Sequence, residues 1–167
     1  VVGRYGQNFL HTILRLAQQR ERLQVVSDQR GAPTSTRLLV AQTLKACSLL
    51  LNPQDPRSES GWGLYHLSCS GQTHWHGYAV HVLSQAQAWG ARHRLPLDQI
   101  KPVTSAEYPS AAQRPLNSRL DAGLWCHRWG QTLPDWRDEV DAVLADVLQD
   151  QGVLTPAMRA KIMSVRK

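Results

Sequence analysis

Apolar residues in this chain repeat with two different periods, and the periods alternate along it. Phe9, Leu10, Ile13, Leu14, Leu16 and Ala17 fall on one face of a 3.6-residue repeat, which predicts a helix over residues 9 to 20. Asn8 stands before it as an N-cap, offering a side-chain oxygen to a free backbone N–H. Residues 22 to 27 set Leu23, Val25 and Val26 beside polar neighbours, as a short strand does. The chain then turns on Gly31 and Pro33, and Ser35 or Thr36 opens a second helix reaching Leu51. "GLYHLS", residues 63 to 68, alternates like another strand. The helix after it is capped by Thr73 and ended by Gly90 at about the C′ position. Ile100 to Val103 reads as extended. Residues 133 to 149 form an amphipathic helix, with Pro134 near its start and Asp135 as cap. Strands and helices in alternation have to be layered on one another, so the class is α/β or α+β.

The remaining stretches are connections. Residues 52 to 60 carry two prolines and several charges and read as an exposed loop. Residues 106 to 121 are polar and proline-punctuated, as in an ordered loop. From residue 154 on, the chain is either a short basic helix behind Thr155 and Pro156 or a frayed tail.

A chain of 167 residues is long enough for one domain with its own core. No apolar run approaches the roughly 20 residues of a membrane helix, so no membrane partner is expected. No signal-peptide pattern is present, although the chain begins at Val1 and not at a Met. Cys47, Cys69 and Cys126 form no C-x-x-C pair, which points to reduced, mostly buried thiols and a cytoplasmic setting. The net charge of +6 is scattered, without a Lys/Arg block or a nucleic-acid-binding motif. A phosphate-bearing small ligand suits such a surplus better than nucleic acid, although the charge need have no functional meaning.

Several kinds of chemistry have no motif here. There is no G-x-G-x-x-G, no G-x-x-x-x-G-K-[ST] and no G-x-S-x-G. No tyrosine is followed four residues later by a lysine; after Tyr5, Tyr65, Tyr78 and Tyr108 that position holds Phe9, Cys69, Val82 and Ala112. His74 and His76 are two apart and face different ways on a helix, and His81 is two turns beyond His74. They are read as exposed polar helix positions and not as metal ligands. Trp75, Tyr78 and Trp136 lie at helical spacing and are read as core.

Five stretches in order carry a resemblance. "VVSDQRGAPT" is similar to the V-x-D-Q-x-G-x-P-T signature of the dTDP-4-dehydrorhamnose reductase family, extended short-chain dehydrogenases/reductases that act on nucleotide sugars. "GRYGQNFLHTILRLA" resembles the family's G-x-N-F helix start, and "GLYHLSCSGQTHWHGYA" its G-x-Y-H-x-x-x-x-G-x-T-x-W-x-x-Y-A segment. "EYPSAAQRPLNSRLD" resembles the Y-P-x-x-A-x-R-P-x-N-S-x-L loop, and "LPDWRDEVDAVL" the closing L-P-x-W helix. The resemblance covers about residues 1 to 148.

The resemblance implies an α/β fold: the C-terminal substrate-binding lobe of an extended short-chain dehydrogenase/reductase with the last elements of the Rossmann domain. Residues 1 to 30 would hold those last elements, 31 to 148 the substrate lobe, and 149 to 167 a basic tail. The Gly-rich cofactor loop and the Tyr-x-x-x-Lys pair would lie upstream of residue 1. No catalytic and no cofactor-binding residue is therefore expected in this chain, which alone would be inactive. The parent enzyme would use NADPH or NADH to reduce the 4-keto group of dTDP-4-dehydro-L-rhamnose to dTDP-L-rhamnose. As a monomer or homodimer it would bind no nucleic acid.

The resemblance also implies a substrate-binding set. Asn8 and Phe9 open the helix that in this family faces the sugar nucleotide, where free N–H groups suit a diphosphate. Gln29 can hydrogen-bond the nucleotide, with Asp28 read mainly as a turn former. Arg114 brings a guanidinium fork that matches a diphosphate bidentately. Asn117 and Ser118 support its loop or touch the ligand. Some family members bridge a dimer with Mg²⁺ held by glutamates, one of them three residues after the G-x-P-T threonine. Here that position is Arg37, so no Mg²⁺ site is expected, and Asp146 alone would not make one. Three rival readings are a non-catalytic homologue serving as a regulatory or binding subunit, a reductase of another nucleotide-linked 4-keto-6-deoxyhexose, and a stand-alone sugar-nucleotide or interaction domain from a split gene.

Overall fold

Asn8 starts the first helix as its sequence position predicts. Its Oδ1 accepts from the backbone N–H of His11 at 3.3 Å, and its Nδ2 donates to the Gly3 carbonyl at 2.9 Å. In the computed structural model, which describes residues 1–108 and 112–164, this helix is α1, Phe9–Gln19. The strand β1, Leu23–Val26, follows it, then the two-residue β2, Arg30–Gly31, and α2, Thr36–Leu50. A single helical turn, α3, Arg57–Ser60, precedes β3, Thr73–His74, and α4, Trp75–Ala88. A 3₁₀ turn, Leu97–Gln99, leads into β4, Ile100–Val103. Helices α5, Gly123–Trp129, α6, Trp136–Asp150, and α7, Pro156–Ser164, complete the chain.

The strands form two small pairs. β1 lies parallel to β4, with Leu23 opposite Ile100 and Val26 opposite Val103. Parallel neighbours need a long crossover, and here α2 to α4 supply it. β2 pairs antiparallel with β3, Arg30 opposite His74. An isolated bridge extends that pair to Asn117, with Arg30 N–H donating to Leu116 O and Ser118 N–H to Arg30 O. The fold is therefore mixed α/β, as expected.

The core lies where α1, α4 and α6 meet. Leu10, Ile13 and Ala17 from α1 face Ala79, Val82, Leu83 and Ala86 from α4, and Val140, Leu144 and Leu148 from α6. The sequence pattern makes α6 amphipathic, but the structure buries it nearly all round, including Glu139 and Asp141. Each buried carboxylate has a partner, as burial of a charge demands. Glu139 accepts from the Ser35 hydroxyl, and Asp141 Oδ1 lies 2.8 Å from His81 Nε2. A second cluster of Ala46, Trp125, Trp129 and Leu133, with the Tyr65 ring edge-on to Trp125, packs α5 against α2.

Several expectations need correction. Residues 63 to 68 are irregular and not a strand; Tyr65 turns into the second cluster and donates its hydroxyl to Gly61 O. Thr73 sits in β3, and the cap of α4 is His74, whose Nδ1 accepts from Gly77 N–H at 3.0 Å. The histidines are not idle surface groups: His76 donates to the Ile100 carbonyl, and His81 meets Asp141. Of the thiols only Cys69 is buried, and burial pushes its pKa up to about 11; Cys47 is exposed on α2. The segment after 154 is helical through Ser164, with Thr155 Oγ1 accepting from Met158 N–H. Residues 165–167 of the expected tail and 109–111 of the expected loop lie outside the described residues.

Ser35, Asp135 and Gly90 behave as the sequence predicts. Ser35 accepts from Leu38 N–H and Asp135 from Arg137 N–H, each opening a helix. Gly90 has φ of 96° one residue past the C-cap of α4. Gly71 is needed more strictly: its φ is 75°, and a Cβ there would meet Asp135 Oδ2 at 2.5 Å.

Leu144 is fully buried at the centre of the α6 packing. Leu144→Ala should destabilise the chain by about 2–5 kcal/mol, because the removed methyl groups leave a cavity three helices cannot close. The shift of the urea midpoint at unchanged m-value measures it.

Candidate functional site

The stretch from Asp28 to Ser35 crosses from the parallel pair to α2, and hydroxyls hold it. Thr34 Oγ1 accepts from Cys69 N–H at 3.1 Å and donates to Ala32 O at 3.0 Å. Ser35 caps α2 and donates to Glu139 of α6. Val2 runs beside them, its N–H donating to Thr34 O and its carbonyl accepting from Thr36 N–H. The segment is thus tied to both the N-terminal residues, through Val2, and the central helix, leaving Gln29 to Pro33 as the wall of a cleft.

Two cavities share that wall. One, of about 380 Å³, is bounded by Phe9, Gly31, Pro33, Trp75, Tyr78 and Ser118 among others. The other, of about 970 Å³, is bounded by Asn8, Phe9, Val26, Gln29, Ser105 and Arg114 among others. Phe9, Gln29 and Trp75 line both. The Phe9 ring packs against Trp75 at 4.8 Å and Tyr78 at 5.1 Å between centroids, within the range of favourable aromatic pairs. The Tyr78 hydroxyl is buried without a hydrogen-bond partner among the described residues, and burial pushes its pKa up.

The candidate residues divide accordingly. Asn8, Phe9, Gln29 and Arg114 come together at the larger cavity. Ser118 lines the smaller one, its Oγ donating to Arg30 O at 3.0 Å. Asn117 lines neither; its Oδ1 accepts from Arg119 N–H and Nε–H, and it faces a separate groove beside Leu120 and Cys126. Asp28 does more than shape a turn. Its carboxylate accepts from Ser105 Oγ at 2.6 Å and from Ser105 N–H at 2.9 Å, and these bonds lower its pKa.

Two participants escaped the sequence reading. Trp75 is only partly buried and belongs to the cavity wall, with its indole N–H on Gln29 Oε1 at 3.2 Å. It occupies the same helical stripe as Tyr78 and Val82, so spacing alone assigns it to the core. Ser105 carries no motif of its own and is legible only once β4 is placed beside β1.

The two positions considered for a metal, Arg37 and Asp146, both stand in ion pairs. Arg37 Nη2 lies 3.6 Å from Glu139, and Asp146 accepts from Arg159 of α7 at 2.6 Å. Among the described residues no group of three or more His, Cys, Asp or Glu side chains is placed to hold a metal ion. Nor does any described strand lead through a Gly-rich turn into a helix N-terminus, the arrangement that cradles a dinucleotide.

The model of the RmlD substrate binding domain matches residues 1–149, nearly the whole chain. The chain belongs to the RmlD substrate binding domain family. A dTDP-4-dehydrorhamnose reductase of Escherichia coli K12 is 40% identical over 148 residues, covering 89% of this chain and 47% of that protein. Among solved structures, a dTDP-4-dehydrorhamnose reductase of Clostridium acetobutylicum superposes with a TM-score of 0.70 at 28% identity, over 86% of this chain and 45% of that one. Another, from Bacillus anthracis in complex with NADP, gives a TM-score of 0.67 at 28% identity, over 84% and 43%. The chain spans about half the length of the curated relatives it matches. The family match stops at the end of α6, and α7 lies beyond the matched residues. No helix among the described residues is long and apolar enough to cross a membrane.

His74 gives this RmlD-type domain a pH dependence. Burial lowers its pKa most, with His76 and Arg30 adding to the effect. Its cap requires an unprotonated Nδ1. Folding therefore favours the neutral ring: the stabilisation is complete above the ordinary value of 6.5 and is lost as pH falls through the lower folded value. His74→Asn, which caps without titrating, should flatten the loss of urea resistance below pH 6.5 relative to the parent.

Proposed function

We propose that this chain is the substrate-side portion of a dTDP-4-dehydrorhamnose reductase, in which the whole protein reduces the 4-keto group of dTDP-4-dehydro-L-rhamnose to dTDP-L-rhamnose. The supporting observation is the convergence of Asn8, Phe9, Gln29 and Arg114, from separate stretches of sequence, on one cavity of about 970 Å³. That volume suits a nucleotide-sized ligand. In this reading residues 1–30 belong with the Rossmann elements, 31–148 form the substrate lobe and 149–167 a basic tail. The protein works in the cytoplasm as a monomer or homodimer and binds no nucleic acid.

NADPH or NADH would supply the hydride. The described residues do not fit that cofactor, since no strand–turn–helix cradle is present, and none is assigned to it. The chain's own contribution is binding and orientation. Arg114 presents two parallel N–H donors to a diphosphate, a geometry a lysine cannot copy. Phe9 and Trp75 offer apolar faces to the sugar or base. Ser118 fixes the loop after β4 to β2 through Arg30 O, keeping that loop across the cleft. Asn8 already satisfies one N–H of α1, so its role is to fix the helix end that the ligand approaches. Holding the sugar ring in one pose converts reduction at C4 into a geometrically selected event.

Calorimetric titration of the chain with dTDP-rhamnose tests this. Saturable binding is expected, and Arg114→Ala should weaken it by about 1.5–3 kcal/mol, the usual loss for a charge-assisted pair. Equal affinity in chain and variant would remove Arg114 from the diphosphate site. No binding by the folded chain would mean that the cavity does not take this ligand on its own.

A further inference from the structure

Both ends of the Gln29 amide are used inside the protein. Nε2 donates to Ser105 Oγ at 2.9 Å, and Oε1 accepts from Trp75 Nε1 at 3.2 Å. An amide can ordinarily be turned either way, but here its neighbours decide. An indole N–H only donates, so the atom facing it must be the oxygen. The Asp28 carboxylate only accepts, and it takes the single Ser105 hydroxyl proton at 2.6 Å. The Ser105 lone pair is then left for Gln29 Nε2. Each link fixes the polarity of the next, from the end of β1, through the loop after β4, to the first turn of α4.

We propose that Gln29 is a positioning residue: it couples the loop after β4, which carries Arg114, to the indole of Trp75, and Trp75 presents the surface that a sugar nucleotide meets. This rests on the substrate-side reading above. Two features carry it. Each end of the Gln29 amide already holds a protein partner, and the two together fix the orientation of the side chain. Trp75 stands with Phe9 in the wall common to both cavities, with one ring edge anchored and its faces set by that anchor.

The test uses the ¹⁵N-labelled chain, with the Trp75 indole resonance assigned from Trp75→Phe. Ser105→Ala and Gln29→Met should each speed solvent exchange of the Trp75 indole N–H by about fivefold, the effect of losing one neutral hydrogen bond. An unmoved exchange rate in Ser105→Ala overturns the coupling. A double-mutant cycle on dTDP affinity then separates positioning from direct contact. Gln29→Met should weaken dTDP binding about fivefold in the parent and add little in Trp75→Phe. Additive losses would make Gln29 a ligand contact in its own right and overturn the proposal. Failure of every form to bind dTDP would mean, as for dTDP-rhamnose, that the cavity does not take this ligand on its own, while the exchange rates would still decide the coupling.

Discussion

A carboxylate almost out of water organises this domain. Glu139 is 9% exposed on a helix that is buried nearly all round, and removing its charge from solvent is costly unless a donor meets it. The Ser35 hydroxyl is that donor, with Arg37 at longer range. The same oxygen caps α2 by accepting from Leu38 N–H. One side chain therefore fixes where α2 begins, how it stands against α6, and where the preceding turn must run. Because that turn continues into Gln29–Pro33, the wall of the cleft takes its position from the interior as well as from the loop after β4, which bonds Gln29 and Arg30. A binding surface held in this way keeps its shape when the ligand is absent, which lowers the ordering cost of binding.

The helices were legible because their apolar residues have a period, and the caps were legible because capping chemistry is local. Asn8, Ser35 and Asp135 each act within three residues of themselves. What was not legible depends on partners distant in sequence. The alternation of residues 63 to 68 looks like a strand, yet no neighbour offers a ladder, and Tyr65 is drawn instead to Trp125 and Trp129. The polar residues of α6 suggested a solvated face, but Glu139 and Asp141 are answered by Ser35 and His81 from far along the chain. His74 displaced Thr73 as a cap because an imidazole nitrogen can accept a hydrogen bond as a hydroxyl does, a choice that residue type alone does not rank.

The site was half legible for the same reason. Arg114 and Phe9 were singled out through motifs, and they do share a cavity. Asn117, from the same motif as Ser118, turns away from it because its side chain is committed to Arg119. Trp75 was assigned to the core since it continues the stripe of Tyr78 and Val82. A residue in the first turn of a helix overhangs the end of the core that the stripe predicts. A large ring at such a position therefore belongs partly to the interior and partly to whatever lies beyond it, and here that is the cleft.

In the proposed reading, the aromatic wall and the basic loop answer to different parts of one ligand. A diphosphate is strongly hydrated, and an arginine repays its desolvation only where the geometry is fixed; a base or sugar ring gains from apolar faces wherever water leaves both. In that reading Arg114 stands on a loop and the rings on helix ends, so the charged group and the packing surface come from different kinds of element. The Asp28 carboxylate holds Ser105 by three contacts at the root of the loop, which keeps that root registered with β1. In the proposed reading, selection among ligands falls to the few groups whose positions the core has already fixed.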